Sequence, residues 1–384
     1  MDKIFNGIIG FVIGDAFGVP YEFQHRGTFE VSDEIIGGGT HGQPKGTWSD
    51  DTSMVLASMS AYIKSVNDKT DLYKEMMDNF TKWYKEGKFT PYNEVFDMGC
   101  TTRNAIYKYV NEGVSPIECG GKGDLENGNG SLMRILPFAF TDLSDKQIEE
   151  ISSLTHAHFK SKLCCKMYVK IARRLIKGMS IDEAVFKTAV DYQSELRDIE
   201  NFTDFFDLKK LSKDEISGSG YVVSTLKAAL WCLMKTDNYR DCIKLAVSLG
   251  EDTDTVAAVA GGLAGLIYEK VPYDWFEVIA DRKDIIDLCL VFSNAIRINE
   301  KNKYDEESKF WYENEIDKVI ELLEDAKKIV DKKDKDYNSH IVSSESRLSL
   351  SLSEAIRDAK TIKSVGNVVK KIKNYNINHL KFID

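Results

Sequence analysis

The stretch Asp252-Thr253-Asp254-Thr255-Val256-Ala257-Ala258-Val259-Ala260-Gly261-Gly262 opens on two acids and continues as a run of small apolar residues. A second stretch, Ser49-Asp50-Asp51-Thr52-Ser53-Met54-Val55-Leu56-Ala57-Ser58-Met59, follows the same plan much earlier in the chain. Each reads as the opening of a core helix. Carboxylates in a first helical turn are individually ordinary, because they cap unpaired N–H groups and suit the helix dipole. Paired acids with flanking hydroxyls, occurring twice, are less ordinary. Four converging carboxylates repel one another unless they are protonated or neutralised. The natural neutraliser is a hard divalent cation, which takes oxygen ligands from Asp, Ser and Thr. The spacing therefore favours one shared metal site, with two unrelated helix caps as the alternative.

Composition sets the outer bounds. A chain of 384 residues is one large domain or a domain with an appendage, and 43% hydrophobic content suits a full core. The formal charge of −10 argues against a phosphate-backbone binder working by charge alone. Seven cysteines (Cys100, Cys119, Cys164, Cys165, Cys232, Cys242, Cys289) form no CxxC pair and no zinc spacing, so they read as reduced core thiols of a cytoplasmic protein. The N-terminus lacks the basic start of a signal peptide, and no apolar run is read as reaching membrane-spanning length. The expectation is a soluble protein with no membrane partner.

Helical periodicity dominates. Apolar residues recur three and four apart in Ile4–Phe17, Ser53–Ser65, Leu72–Lys85, Lys146–Leu154, Ser161–Lys177, Ile181–Tyr192, Val222–Met234, Tyr239–Leu249, Val256–Tyr268 and Trp275–Ile298. No series of alternating strands competes with them. The chain reads as all-α: a compact multi-helix domain with long glycine-bearing loops at residues 37–39, 120–123 and 128–130.

A shift in composition near residue 300 divides the chain into a region at 1–298 and a helical, charge-rich extension at 299–384. Between Glu300 and Asp336 charges alternate around Ile316, Val319, Ile320, Leu323 and Ile329, as on a surface or partner-facing helix. Ser339–Ser353 reads as a linker. Lys360–Lys381 bears several lysines; nucleic-acid contact is one reading, and solvated helix faces are the commoner one.

The N-terminal run Gly7-Ile8-Ile9-Gly10-Phe11-Val12-Ile13-Gly14-Asp15-Ala16-Phe17-Gly18-Val19-Pro20-Tyr21-Glu22-Phe23 is an apolar helix whose small residues permit close packing. It ends at Gly18 and Pro20 and delivers Glu22 into a loop. Taken alone, Asp15 and Glu22 read as ordinary capping or surface acids.

The order of motifs changes that reading. GxxxGDAxGxPxEF, GTWSDDTSM, DMGxTTR, NGNGSLMRxxP, THxH, SGSGYVVSTLxAALW and GEDTDTVAAVAGGLAG follow one another between about Ile4 and Ile298. In this order they resemble the ADP-ribosylglycohydrolase family, most closely the branch that includes the dinitrogenase reductase-activating glycohydrolase. The resemblance implies an all-helical fold with a cleft holding two divalent cations, Mg²⁺ or Mn²⁺. It implies cleavage of the bond between ribose C1″ of ADP-ribose and an acceptor, typically a modified arginine on a protein. Carried over by position, Ser49, Asp50 and Asp51 supply one set of metal ligands, and Asp252, Asp254 and Thr255 the other. Ser49 replaces the usual Thr but keeps the hydroxyl. Glu22 matches a glutamate near the metals, a general base or switchable ligand, and Asp97 an aspartate that handles the scissile group. Cys100 stands where many relatives have Asn, which puts local hydrogen bonding and acceptor choice in doubt.

Chemistry agrees with this assignment. N-glycoside hydrolysis needs charge stabilised on the sugar, a proton for the leaving group and an activated water. Two cations can grip a ribose cis-diol and orient it. Five carboxylates (Glu22, Asp50, Asp51, Asp252, Asp254) nearly offset their charge. The resemblance makes the Gly128-Asn129-Gly130-Ser131-Leu132-Met133 loop a diphosphate cradle, with Gly128, Asn129, Gly130, Ser131 and Met133 as substrate contacts. Arg134 could pair with phosphate or with a core carboxylate. His156 and His158 lack a third soft ligand for zinc. In relatives the second histidine approaches ADP-ribose, so His158 is either a ligand contact or a structural histidine at a helix start. Tyr221 matches a tyrosine that stacks on adenine, with core filling as the alternative. The expected activity is hydrolysis of ADP-ribosyl-arginine on a protein or of a small ADP-ribosyl conjugate. The alternatives are another ADP-ribose linkage (serine, nucleic acid or a free metabolite) and a non-catalytic ADP-ribose-binding or immunity protein.

Overall fold

Gly7, Gly10, Gly14 and Gly18 fall on one face of the N-terminal helix, because residues three and four apart align along a helix. The computed structural model describes residues 2–200 and 203–314, together with 320, 321 and 324. In it the run forms α1 (Asp2–Gly18) and lies against the helix Thr253–Tyr268 at backbone contact. A Cβ placed on Gly10 would stand 2.5 Å from the Gly261 carbonyl oxygen, and one on Gly14 would stand 2.2 Å from that of Ala257. From the opposite side, a Cβ on Gly265 would meet the Asn6 oxygen at 2.0 Å. At the end of α1 the approach continues, with a Gly18 Cβ only 2.3 Å from Asp254 Cα. The second acidic cluster is therefore seated directly on the end of the first helix.

The remaining helices are α2 (Asp50–Asp68), α3 (Leu72–Glu86), α4 (Cys100–Glu112), α5 (Asp145–Ser153), α6 (Phe159–Ile176), α7 (Ile181–Asp191), α8 (Gln193–Leu196) and α9 (Asp204–Asp207). They are followed by α10 (Val222–Met234), α11 (Tyr239–Val247), α12 (Thr253–Tyr268), α13 (Tyr273–Glu277) and α14 (Arg282–Asn314). The fold is all-α; among the described residues no sheet forms, and isolated bridges such as Gly121–His156 and Gly128–Tyr221 join loops. Helix α12 is central, touching α1, α2, α6, α10 and α11. The Tyr168 hydroxyl on α6 donates to the Val259 carbonyl at 2.9 Å, and the Tyr239 hydroxyl donates to Gly10. Residues Met1–Ile296 make one compact unit, which contains every candidate site residue, and Arg297–Asp384 make another.

Helices α2 and α12 each begin three residues before the apolar run, so Asp50, Asp51 and Asp254 lie in first turns, in agreement with their reading as first-turn carboxylates. Three sequence expectations need correction. The run read as Trp275–Ile298 is broken: the backbone at Asp281 turns left-handed (φ 45°), and α13 and α14 flank the break. Gly46 explains it, accepting from the Ala280 N–H at 3.0 Å and leaving no room for a Cβ beside the Val278 oxygen. Helix α4 is absent from the periodic reading because it buries only Thr102, Ala105 and Ile106. Finally, Lys3–Tyr21 is long and apolar enough by length and composition to cross a membrane, contrary to expectation. In the fold 83% of it is buried, its apolar surface spent on packing within the chain. The stripe from Ile316 to Ile329 (Ile320 apart), the serine-rich stretch and the lysine-bearing tail lie outside the described residues.

The backbone contact predicts the effect of a single methyl. Gly10→Ala or Gly14→Ala should destabilise by about 1–3 kcal/mol through overpacking, although alanine is the better helix former by about 1 kcal/mol. Gly99→Ala, whose Cβ would meet nothing within 4 Å, should change stability by less than about 0.5 kcal/mol. Urea unfolding of the three variants is the check; equal midpoints would refute the close contact.

Candidate active site

Helix α2 starts at an N-cap serine: Ser49 Oγ accepts from the Asp51 N–H at 3.3 Å. A second acceptor arrives from α1. The Asp15 carboxylate, fully buried, takes the Ser49 N–H and the Thr52 N–H, each at 2.9 Å. Asp15 is thus a cap, but for another helix, and not a surface acid. At α12 the N-cap residue Asp252 makes no capping bond; its Oδ2 instead accepts from Asn129 Nδ2 at 2.8 Å. Asn129 also donates to Thr225 Oγ1 at 3.0 Å, while Thr255 Oγ1 donates to Asp51 Oδ1 at 3.4 Å. The two acidic clusters are therefore one site.

The site faces a cavity of about 380 Å³ whose wall includes Glu22, Asp50, Asp97, Asp252 and Thr255. Gly128, Asn129, Gly130 and Met133 line it from the loop side, and Cys100 and His156 also reach it. Ser49, Asp51 and Asp254 lie behind this wall and are buried. Carboxylate oxygens of Asp15, Asp51 and Asp254 lie within 4.8 Å of one another, as do those of Glu22, Asp252 and Asp254. Asp254 belongs to both groups and links the deep layer to the cavity layer.

Burial pushes every one of these acids toward its neutral form, and for Glu22, Asp50, Asp51, Asp97 and Asp254 neighbouring acids add to it. Glu22 is pushed up to about 12 by burial and then by Asp254, Asp97, Asp252 and Asp50. Burial and Asp252 raise Asp97 to about 7, and burial alone raises Asp15 to about 6 against its hydrogen bonds from Ser49 and Thr52. Asp50, Asp51 and Asp254 rise well above the usual carboxylate range, again through burial first and neighbouring acids second. Asp51 Oδ2 and both oxygens of Asp254 are buried without a hydrogen-bond partner. Such orphaned oxygens carry a penalty that a hard cation with oxygen ligands removes. The donor set fits divalent cations.

Three further sequence candidates, Ser131, His158 and Tyr221, also sit off the cavity wall. Ser131 is fully buried and accepts from Ser152 Oγ at 2.9 Å and Cys165 Sγ at 3.4 Å. His158 occupies the helix-start position: its Nδ1 accepts from the Lys160 N–H at 3.3 Å, opening α6. Tyr221 stands at the N-cap of α10, bridged to Gly128, with Lys160 Nζ 5.4 Å from its ring centre. Arg134 makes no ion pair with a carboxylate among the described residues. Its guanidinium, wholly buried over the Phe80 ring, donates to the carbonyls of Gly130 and Ile151 and holds the glycine loop.

Two histidines escaped sequence reasoning. His156, and not His158, lines the cavity; burial and Arg134 push it down to about 3, so it stays neutral, and its Nδ1 pairs with Thr155 Oγ1 at 2.8 Å. His41 Nε2 lies 2.5 Å from Glu22 Oε2 and 4.0 Å from Asp97 Oδ1. Its one sequence signal is the glycine run just before it. Backbone strain gathers at the same place: Phe23, Asp97 and Glu251 all have positive φ, at 64°, 57° and 63°. Phe23 N–H donates to the Glu251 oxygen at 2.7 Å and Glu251 N–H to Gln24 at 2.8 Å, tying the Glu22 loop to the Asp252 loop.

Comparison with known proteins supplies relatives. The ADP-ribosylglycohydrolase family model matches residues 1–302. The chain is 33% identical over 299 residues to the ADP-ribosylarginine hydrolase Tri1 of Serratia proteamaculans, covering 75% of this chain and 78% of that protein. It is 29% identical to the ADP-ribosyl-[dinitrogen reductase] glycohydrolase of Rhodospirillum rubrum, covering 71% of this chain and 89% of the relative. A solved ADP-ribosylglycohydrolase-related protein complex superposes with a TM-score of 0.64 at 27% identity, over 77% of this chain and 98% of the other.

The raised carboxyls give a pH dependence of known sign. The folded, metal-free protein binds more protons than the unfolded chain, so its stability falls as pH rises through the window between ordinary and raised values. Between about pH 5 and 8 the melting temperature of chelator-treated protein should drop, and added Mg²⁺ or Mn²⁺ should raise it most at the upper end. A melting temperature that climbed with pH in the chelated protein would contradict the convergence of these acids.

Proposed function

The chain belongs to the ADP-ribosylglycohydrolase family and is a hydrolase, and we propose that it removes ADP-ribose from arginine side chains of a modified protein. The observation that carries the site is the junction of two acidic helix starts, with orphaned buried oxygens, behind one cavity. The arginine linkage rests on the relatives, one named for ADP-ribosylarginine and one for modified dinitrogen reductase.

Two divalent cations, Mg²⁺ or Mn²⁺, would be held by Ser49, Asp50 and Asp51 from α2 and by Asp252, Asp254 and Thr255 from α12. When bound, they supply positive charge that cancels the carboxylates and fixes sugar hydroxyls. The protein supplies the rest. Glu22, on the cavity wall, is the base that takes a proton from the attacking water. Its proton is held too tightly in the metal-free state; neutralising its four acidic neighbours brings it toward a working range. As water oxygen bonds to C1″, the C1″–N bond breaks, and its electron pair leaves with the guanidine, which then regains a proton. Asp97, raised to about 7, can hold or release that proton near neutral pH. Gly128, Asn129 and Gly130 present backbone to the diphosphate, and Asn129 also keeps Asp252 in place. Tyr221 flanks the adenine end through its bridge to Gly128. Cys100, at the rim beside Arg103, leaves the acceptor end without the amide common in relatives.

Chelation should abolish release of ADP-ribose from ADP-ribosyl-arginine, and Mg²⁺ or Mn²⁺ should restore it. Asp254→Ala should lower kcat by about 100-fold or more. The same variant, freed of an unpartnered buried acid, should melt no lower than wild type without metal at pH 8. Near-normal turnover with a much lower melting point would make Asp254 structural. Because the family match ends at residue 302 and the site residues at Thr255, we place catalysis in residues 1–298 and read 299–384 as accessory. A chain shortened to Asn314, which keeps α14 whole, should retain kcat on a small conjugate.

A further inference from the structure

We propose that His41 is a positioning residue that fixes the Glu22 carboxylate, acting from a three-residue clamp built by Gly39, Thr40 and His41. The role rests on Glu22 as the base in the reading above and adds a residue to it. Three consecutive residues each grip the segment Pro20–Glu22. Gly39, at φ 66°, presses so closely that a Cβ would stand 2.1 Å from the Pro20 oxygen. Thr40 Oγ1 donates to the Glu22 carbonyl at 2.8 Å. His41 Nε2 reaches Glu22 Oε2 at 2.5 Å. The clamp is itself closed by Gly38 N–H on the Gln43 oxygen at 2.7 Å and Gly42 N–H on the Gly39 oxygen at 3.2 Å. Its ring is tilted against Phe23 and Phe96, with centroids 5.8 and 5.1 Å away.

The physical need is plain. The side chains around Glu22 that shape its charge are Asp254, Asp97, Asp252 and Asp50, all acids. Such neighbours drive a carboxylate to rotate away and offer it no N–H. The ring N–H of His41 supplies that donor. It engages Oε2 and leaves Oε1 for the cavity. The same nitrogen is 4.0 Å from Asp97, so one ring sets the spacing of the two carboxyls that handle protons. Glu22 lines the cavity and His41 does not, so His41 acts through Glu22 and not on substrate.

The test compares His41→Ala with His41→Gln in the full-length, cation-loaded protein, using ADP-ribosyl-arginine as substrate. A base displaced by about 1 Å costs on the order of 100-fold in rate, so His41→Ala should lose about that factor in kcat while KM stays nearly constant. Gln, whose amide nitrogen can replace Nε2, should recover at least about tenfold of the loss. Mn²⁺ affinity, read by titration without substrate, should be nearly the same in all three proteins. Nitrogen NMR of wild type should find His41 carrying a proton on Nε2, with its resonance moving in Glu22→Gln. The NMR arm stands without turnover, so an inactive wild type bearing this signature would overturn the substrate reading and leave the clamp intact. Unchanged kcat in His41→Ala, equal losses in the Ala and Gln variants, loss of Mn²⁺ binding, or a His41 resonance indifferent to Glu22→Gln would each overturn the proposal.

Discussion

Backbone contact between α1 and α12 is the constraint on which the site depends. Glycines at 10, 14, 261 and 265 let two helices approach until carbonyl oxygens of one occupy the place of side chains on the other. That approach puts Asp254 on the end of α1, where Gly18 is the residue it touches. It also aims Asp15 at the start of α2, whose first N–H groups it accepts. One glycine-faced helix therefore registers both acidic clusters. A wider separation would leave the fold's hydrophobic core feasible and the acidic cluster dispersed.

The acids are costly where they stand. Buried carboxylates without partners oppose folding, and the left-handed backbone at Phe23, Asp97 and Glu251 adds strain of about 1–3 kcal/mol per residue. The rest of the domain offsets this by rigid support. Arg134 spends a buried guanidinium on the carbonyl of Gly130, and Asn129 spends its amide on Asp252 and Thr225. These contacts hold the loop against the acids. A site of this kind stores electrostatic repulsion among buried acids, which protonation or a bound cation would relieve.

The loop 37–46 illustrates how function gathers on irregular backbone. Gly39, Thr40 and His41 hold the Glu22 turn, and a few residues on Gly46 breaks the helical run near Asp281 by pressing on Val278. The chain then enters α2 and its acids. A single connection therefore holds the Glu22 turn, ends one helix and leads into another.

The sequence by itself determined the helical class, most helix spans and the acids that the fold brings together. Those signals are local: apolar residues three and four apart, and carboxylates just before a small-residue run. Asp50, Asp51, Asp252 and Asp254 were legible because paired acids at two helix starts are chemically conspicuous. The tertiary structure alone decided which histidine faces the cavity, since His156 and His158 differ by one bridge between Gly121 and the loop after α5. It alone brought His41 to Glu22 and made Asp15 the cap of a distant helix. It also showed that α4 forms with only three buried residues, and that the run at 275–298 breaks where Gly46 intrudes. The physical reason is common to all of these. They rest on contacts between segments remote in sequence, made largely by backbone atoms, and backbone leaves no periodic trace in the order of side chains.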